Sequence, residues 1–382
     1  MKLAVVAGEA SGDLHASEVI RELRRLDPTL TTFGIGGDLL AAEGTEILHH
    51  AREMGIVGLF NVLRHLRMFR RIFDELMARI AEEEPDAVLL VDYPDFNLRA
   101  AKACKRLGLR VIYYISPQVW AWRKGRVRHI ARYVDEMIVI FPFEETFYRE
   151  RGVAVTYVGH PLVEELASIP IRTDRAPRSR IRIALMPGSR RMEVASLLGP
   201  MLDAVSEIAE SRPLEVVLIQ APTIDRVQID ALLSAAGAAR AGLPDIEIVA
   251  QRRSEALASS DLALSSSGTA TLEAAVLNVP VIVMYRLSRA THWLARRLVK
   301  LPHFSLVNIV AGREVVPELL QDAVNGKAIA AAATRLLEPV MYGRTKEELT
   351  RVRALLGEPG ASRRAAQKIA TLVRGESRGA ER

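Results

Sequence analysis

Short runs rich in Val, Ile and Leu alternate with amphipathic helical stretches along this chain, and they do so in two series. Leu3–Val6, Thr32–Ile35, Ala87–Val91, Arg110–Ile115 and Glu136–Ile140 read as the strands of the first series. Ile181–Met186, Glu215–Gln220, Ile246–Val249, Leu262–Leu264 and Val279–Tyr285 read as those of the second. Near-continuous apolar strands separated by helices predict parallel sheets covered on both faces. Pro161 to Arg180, with Pro170, Pro177 and mixed charges, interrupts the alternation and reads as a connection. The 382 residues also exceed what one core usually serves. The expected fold is therefore α/β, with two doubly wound Rossmann-like domains facing a cleft. The expected boundaries are 1–165 and 166–355, with a C-terminal helix and tail at 356–382 packing back on the first domain.

Two Gly/Ser-rich turns follow strands in this pattern. Gly8-Glu9-Ala10-Ser11-Gly12-Asp13 lies between Leu3–Val6 and a helix expected over His15–Leu26. Ser265 to Thr271, with Ser266, Ser267, Gly268, Thr269 and Ala270, lies between Leu262–Leu264 and a helix expected over Thr271–Leu277. Such turns expose backbone N–H groups at the positive end of a helix, where a phosphate can be held. Glu273, one turn into its helix, could accept hydrogen bonds from a ribose; an ordinary Ser/Thr cap with a capping acid gives the same pattern. Neither turn matches G-x-G-x-x-G, so no nicotinamide or flavin cofactor is expected.

Two further segments carry candidate chemistry. Asp92-Tyr93-Pro94-Asp95-Phe96-Asn97 lies just past a strand, where ligands of open parallel sheets bind. Its two carboxylates could include a general base, or Asp95 could cap the helix that begins near Phe96. Met186-Pro187-Gly188-Ser189-Arg190-Arg191 is a strand-to-helix turn whose arginines could fork onto a diphosphate, or stand solvated and paired with Glu193. Cys104 is the only cysteine, and the histidines, including His160 in a Gly-His-Pro turn, lack paired ligand spacing. Neither a disulfide framework nor a metal site is expected, and a reducing, cytoplasmic setting fits. The N-terminus does not read as a signal peptide, and no stretch reaches the roughly 18 uncharged apolar residues of a membrane span.

The formal charge of +6 is concentrated. From Met54 to Phe73 there is no acid, while Arg64, Arg67, Arg70 and Arg71 are present; Pro117 to Val134 is likewise acid-free, with Trp120 and Trp122 beside five cations. The helix expected from Ile56 to about Ile80 has more apolar surface than one core stripe requires. Val57, Phe60, Arg64, Met68, Arg71 and Ile72 are the expected contacts with an anionic membrane surface. Burial between layers or at a dimer interface is the other reading. A nucleic-acid role is disfavoured, because the basic clusters lie among large aliphatics without a stacking platform.

In order along the chain, Ala7–Asp13, Gly34-Ile35-Gly36-Gly37, Tyr93–Asn97, Tyr114–Trp122, Val158–Leu162, Pro187–Arg190, Ser266–Glu273 and Pro317–Gln321 together resemble the lipid-A-disaccharide synthases, glycosyltransferases of the GT-B type. One departure is Leu306-Val307-Asn308, where the family pattern has Leu-Pro-Asn. The resemblance implies a metal-independent, inverting hexosyltransferase of lipid A and lipopolysaccharide biosynthesis in Gram-negative bacteria. Its donor would be UDP-2,3-diacylglucosamine and its acceptor 2,3-diacylglucosamine 1-phosphate (lipid X). It implies an acceptor- and membrane-facing first domain, a UDP-sugar-binding second domain, and work at the cytoplasmic face of the inner membrane. A homodimer with exchanged C-terminal segments is described for the family; nothing in the sequence itself indicates one.

On this resemblance Asp95 is the expected base, with Asp13 and Glu9 as rivals, and Arg190 offsets charge on departing UDP. Gly8, Glu9, Ser11, Gly12 and Asp13 would hold the acceptor or the facing phosphate. Ser189, Ser266 to Thr271, Glu273, backbone near Met284, Asn308 and Gln321 are the expected donor contacts. Another GT-B UDP-GlcNAc transferase, a UDP-GlcNAc epimerase, and a non-catalytic nucleotide-sugar or membrane-binding protein are the alternatives.

Overall fold

The computed structural model describes residues 1–54, 62–122, 124–237, 242–287 and 302–375. The chain forms two compact units: Met1–Pro161 with Glu358–Arg382, and Leu162–Gly357.

The first unit is built on β1 (Lys2–Ala7), β2 (Thr31–Gly36), β3 (Glu46–His50), β4 (Ala87–Val91), β5 (Arg110–Tyr114), β6 (Glu136–Val139) and β7 (Val155–Tyr157). They form a seven-stranded parallel sheet in the order β3-β2-β1-β4-β5-β6-β7. Every residue of β4 is buried, as a central strand covered on both faces requires. Val6, Ile35, Leu76, Leu90, Tyr113 and Met137 belong to one core on this sheet. Burial of each such side chain contributes about 1.5–3 kcal/mol.

The second unit is built on β8 (Ile181–Met186), β9 (Leu214–Ile219), β10 (Ile246–Val249), β11 (Leu262–Ser266), β12 (Val281–Tyr285) and β13 (Glu318–Leu320). Its six-stranded parallel sheet runs β10-β9-β8-β11-β12-β13. In each sheet the chain starts in the middle, builds to one edge, then returns to build the other. The reversal falls between β1 and β4 in the first unit and between β8 and β11 in the second. A crevice opens at the carboxyl ends of strands at such a reversal.

Three strands escape the sequence pattern. β3, β7 and β13 are edge strands; β3 reads Glu-Ile-Leu-His-His, and β7 and β13 are three residues each. Their apolar runs are too short to signal a strand, and pairing with a formed neighbour makes them.

Helix α1 (Ala10–Leu26) begins five residues before the expected His15, so Ser11, Gly12 and Asp13 are already helical and the turn after β1 is only Gly8-Glu9. Asp13 is 5 % exposed, and its carboxylate accepts the N–H groups of Gly37 at 2.7 Å, Leu39 at 3.0 Å and Leu40 at 3.1 Å. It thereby satisfies two first-turn donors of α2 (Asp38–Ala42), those of Leu39 and Leu40, and the N–H of its cap residue Gly37. This corrects its expected role as substrate contact or base: the carboxylate is occupied by three backbone donors.

Helix α3 (Val62–Glu83) presents Ile72, Leu76 and Ile80 to the core, each fully buried. Ile72 is therefore removed from the expected membrane contacts, and Met68, half-buried, packs against the same core. Arg71 is exposed, 3.7 Å from Glu75. Val57 and Phe60 lie outside the described residues, as does the side chain of Arg64. Trp120, expected at a membrane interface, is buried edge-on against Phe143 and donates its ring N–H to Glu144 at 3.0 Å. No helix among the described residues is long and apolar enough to cross a membrane.

Helix α4 (Pro94–Arg106) follows β4, and the last helix, α9 (Ala361–Arg374), packs on α1. Ser362 Oγ donates to Glu18 at 3.1 Å, and Arg364 Nε donates to the Val158 carbonyl at 2.7 Å.

Candidate functional site

In the second unit, β8 runs through Pro187-Gly188-Ser189 into α5 (Arg191–Ala209). Gly188 has φ +126°, and a Cβ there would lie 2.6 Å from a carboxylate oxygen of Glu193, so both conformation and space demand glycine. Glu193 folds back on this turn, accepting the Ser189 N–H at 3.2 Å and pairing with Arg190 at 2.8 Å. Arg190 is 80 % exposed in that pair.

Across the strand reversal, β11 ends at Ser266, and Gly268 caps α7 (Thr269–Val276) without a side chain. The N–H groups of Thr269 and Ala270 meet no acceptor among the described residues. They sit at the positive end of α7, which suits an anion. The two turns line one cavity of about 510 Å³, to which Gly188, Ser189, Arg190, Ser266, Ser267, Gly268, Thr269, Ala270 and Glu273 contribute. Glu273 is half-buried and accepts the Ser254 hydroxyl at 2.7 Å. That bond fixes one carboxylate oxygen and leaves the group an acceptor within the cavity.

Four expected donor contacts are engaged elsewhere. Thr271 is buried, and its hydroxyl donates to the Gly268 carbonyl at 2.7 Å, holding the turn. Met284 is fully buried, and its carbonyl accepts the Ser267 N–H at 3.0 Å. Asn308 is fully buried in α8 (Leu306–Ala311). Its Oδ1 accepts the N–H groups of Val315 at 2.7 Å and Val316 at 3.0 Å. Its Nδ2 donates to the Val316 carbonyl at 2.9 Å and to Glu318 at 2.8 Å. Gln321 clasps the backbone of Leu287, accepting its N–H at 2.6 Å and donating to its carbonyl at 3.0 Å. Val307 lies in the first turn of α8, where proline is also tolerated, so its departure from the family pattern leaves this loop in place.

Pattern reading missed Pro222, Arg253 and Ser254, which also line the cavity. They follow β9 and β10 (Pro222 after β9, the other two at the start of the short helix α6, Arg253–Ala258). The rule that ligands bind at carboxyl ends of strands is the signal that points to them.

In the first unit the equivalent corner joins Gly8-Glu9 after β1 to Asp92-Tyr93 after β4. Asp92 and Tyr93 both have positive φ, 46° and 47°. The buried Asn97 amide holds this strained corner, donating to the carbonyls of Asp92 at 2.8 Å, Val91 at 3.1 Å and Val6 at 3.4 Å. The Tyr93 ring then lies so close to Gly8 that a Cβ there would meet it at 2.6 Å. Asn97 was missed as a positioning residue because an asparagine early in a helix looks like a surface position.

Asp95 is in the first turn of α4, exposed, and ion-paired with Arg126. Glu9, exposed, and Asp95 line a cavity of about 820 Å³ walled by Phe69, Phe73, Tyr93 and Phe96. Ser11 is exposed and Gly12 buried on α1, and neither lines this cavity. The Asp92 carboxyl is pushed up to about 6, chiefly by burial and then by the Glu9 charge. Burial pushes His160 down to about 3, so its ring, packed on Phe141 at 5.0 Å, is neutral.

A family model described as lipid-A-disaccharide synthetase matches residues 3–372. The lipid-A-disaccharide synthase of Myxococcus xanthus (strain DK1622) is 44% identical over 384 residues, covering 97% of each chain. Among solved structures, MurG of Acinetobacter baumannii matches with a TM-score of 0.64 at 16% identity, over 97% of this chain and 99% of that one. UDP-GlcNAc 2-epimerase of Neisseria meningitidis bound to UDP-GlcNAc matches with a TM-score of 0.64 at 16% identity, over 97% of this chain and 100% of that one. These two likenesses establish the fold, the pair of parallel α/β sheets found in GT-B glycosyltransferases and epimerases.

Proposed function

The chain belongs to the lipid-A-disaccharide synthase family, and from that premise we propose how two of its cavities, one in each unit, divide the work. It is a glycosyltransferase of lipid A biosynthesis that uses a UDP-sugar donor and a lipid acceptor. The donor is UDP-2,3-diacylglucosamine and the acceptor is 2,3-diacylglucosamine 1-phosphate; the products are a β-1,6-linked disaccharide 1-phosphate and UDP.

The observation that carries this reading is the second-unit cavity, where unpartnered helix N–H groups, an arginine and an anchored glutamate line one space. A nucleoside diphosphate matches that set: phosphate oxygens on the Thr269 and Ala270 N–H groups, ribose hydroxyls on Glu273. Arg190, released from Glu193, meets the charge that grows as the sugar–phosphate bond breaks. The acceptor 6-hydroxyl attacks the sugar C1 from the face opposite UDP, which inverts that carbon. Its proton passes to Asp95, within the cavity that also carries the apolar walls. The exposed Arg67, Arg70 and Arg71 of α3, the last two each 3.7 Å from an acid one turn on, are the cations offered to an anionic leaflet at the cytoplasmic side of the inner membrane.

The test is direct. The protein is incubated with the two diacylated substrates, and the disaccharide phosphate and UDP are measured together. Equal yields of both support the reading. UDP release without disaccharide, or no UDP release from this donor, ends it.

A further inference from the structure

Two cavities of the first unit meet at Asp95. The larger, about 820 Å³, has aromatic walls, with Phe73 and Phe96 edge to face at 5.6 Å and Tyr93 at 6.3 Å from Phe96. Its volume lies within the ~300–1,000 Å³ typical of small-molecule sites. The smaller, about 340 Å³, is lined by Arg99, Arg126 and His129 together with Gly125 and Leu98. Pro94, Asp95 and Arg99 line both.

The charges differ between them. Three acids line the larger cavity (Glu9, Asp74 and Asp95), against Arg70 and Arg99. Among the described residues one acid, Asp95, lines the smaller, with two arginines and a histidine. Arg99 is exposed and makes no ion pair with any described residue, whereas Arg70 lies 3.7 Å from Asp74 and Arg126 pairs with Asp95. A dianion entering the larger cavity meets three carboxylates; entering the smaller, it meets one, beside Arg126, His129 and Arg99, and Arg99, common to both cavities, needs no partner displaced. An alkyl chain has the reverse preference, because apolar wall area is in the larger cavity.

Resting on the reading above, we propose that these cavities form a split site for the acceptor lipid: one fatty acyl chain occupies the aromatic cavity, and the 1-phosphate occupies the cationic cavity against Arg99. The sugar then bridges the shared Pro94–Asp95–Arg99 ridge, with its hydroxyl face towards Asp95. Arg99 and Phe73 are specificity residues for opposite ends of one molecule.

The experiment reads equilibrium binding of acceptor analogues to the full-length protein, without donor and at fixed detergent. Binding therefore judges the split site whether or not transfer occurs. Shortening the acyl chain by two methylenes weakens wild-type binding by about fifteenfold. In Phe73→Ala that step shrinks to less than about threefold. In Arg99→Ala, an exposed change that leaves the core intact, binding of the phosphorylated acceptor weakens by about tenfold. Binding of its dephosphorylated analogue is unchanged in Arg99→Ala. UDP affinity stays at the wild-type value in both variants, and thermal melts followed by circular dichroism, measured in parallel, report that the first unit is folded. Wild-type chain-length dependence in Phe73→Ala, or wild-type preference for the phosphate in Arg99→Ala, overturns the proposal. A failure to form disaccharide in the transfer assay overturns the assigned reaction instead.

Discussion

The Asp13 carboxylate accepts the Gly37 N–H at 2.7 Å, so the acid of the Gly-Glu-Ala-Ser-Gly-Asp segment ties α1 to the start of α2 instead of facing a ligand. Gly37 is suited to this contact, since a Cβ there would lie 2.5 Å from Asp13 Oδ2. Asp13→Ala strands three backbone donors in a buried place and lowers stability by about 3 kcal/mol. Denaturant unfolding measures this. A variant as stable as wild type but lacking turnover would return Asp13 to the list of bases.

Asp95→Asn removes the proton acceptor while keeping the side chain's size. Turnover falls by about 10²–10⁴-fold, and UDP affinity, read by calorimetry, is unchanged. Near-normal turnover excludes Asp95 as the base and moves attention to Glu9, which shares its cavity.

Arg190→Ala weakens UDP binding and lowers turnover together, by about tenfold or more in kcat/KM. The exposed pair with Glu193 contributes little to folding, so the melting temperature stays within a degree or two of wild type. Unchanged kinetics would leave Arg190 as a surface charge.

Asn308→Ala gives the opposite signature. Four hydrogen bonds of a fully buried amide are lost, and stability drops by about 2–4 kcal/mol while the UDP affinity of the remaining folded protein is kept. Loss of UDP affinity without loss of stability would make Asn308 a ligand contact after all.

Asp92 carries a pH prediction. Its folded-state carboxyl titrates near 6, above the ordinary 3.8. Between those values the unfolded chain gives up the proton and the folded chain keeps it, so this group stabilises the fold less as pH rises through that window. Asp92→Asn is therefore more stable than wild type above pH 6, by on the order of 2 kcal/mol, and no different below pH 4. Melting curves across that range check the sign; a variant less stable at pH 8 contradicts it.

The sequence by itself determined the architecture. Parallel strands are buried on both faces, so β4 is written as an unbroken apolar run, and β8 and β11 as runs broken only by Arg182 and by the closing Ser265-Ser266, which pattern alone can find. The glycine turns after β1, β8 and β11 were legible for a related reason: glycines mark places where backbone must turn or come close. Edge strands such as β7 were not legible, because three residues have no periodicity to read.

Only the tertiary structure decided which polar residues of those turns remain available. A motif names Asp13, Thr271, Asn308 and Gln321 alongside Glu273 and Asp95, and cannot distinguish a side chain bound to its own backbone from one facing a cavity. Hydrogen bonds between residues far apart in sequence made that division, as when Asp13 bonds Gly37 and Gln321 bonds Leu287. The same is true of α3: its composition showed apolar excess, but packing against the sheet turned Ile72 inward and left Phe69 and Phe73 on the wall of a cavity. Local pattern fixes what a segment becomes; the partners it meets once folded fix what its side chains are free to do.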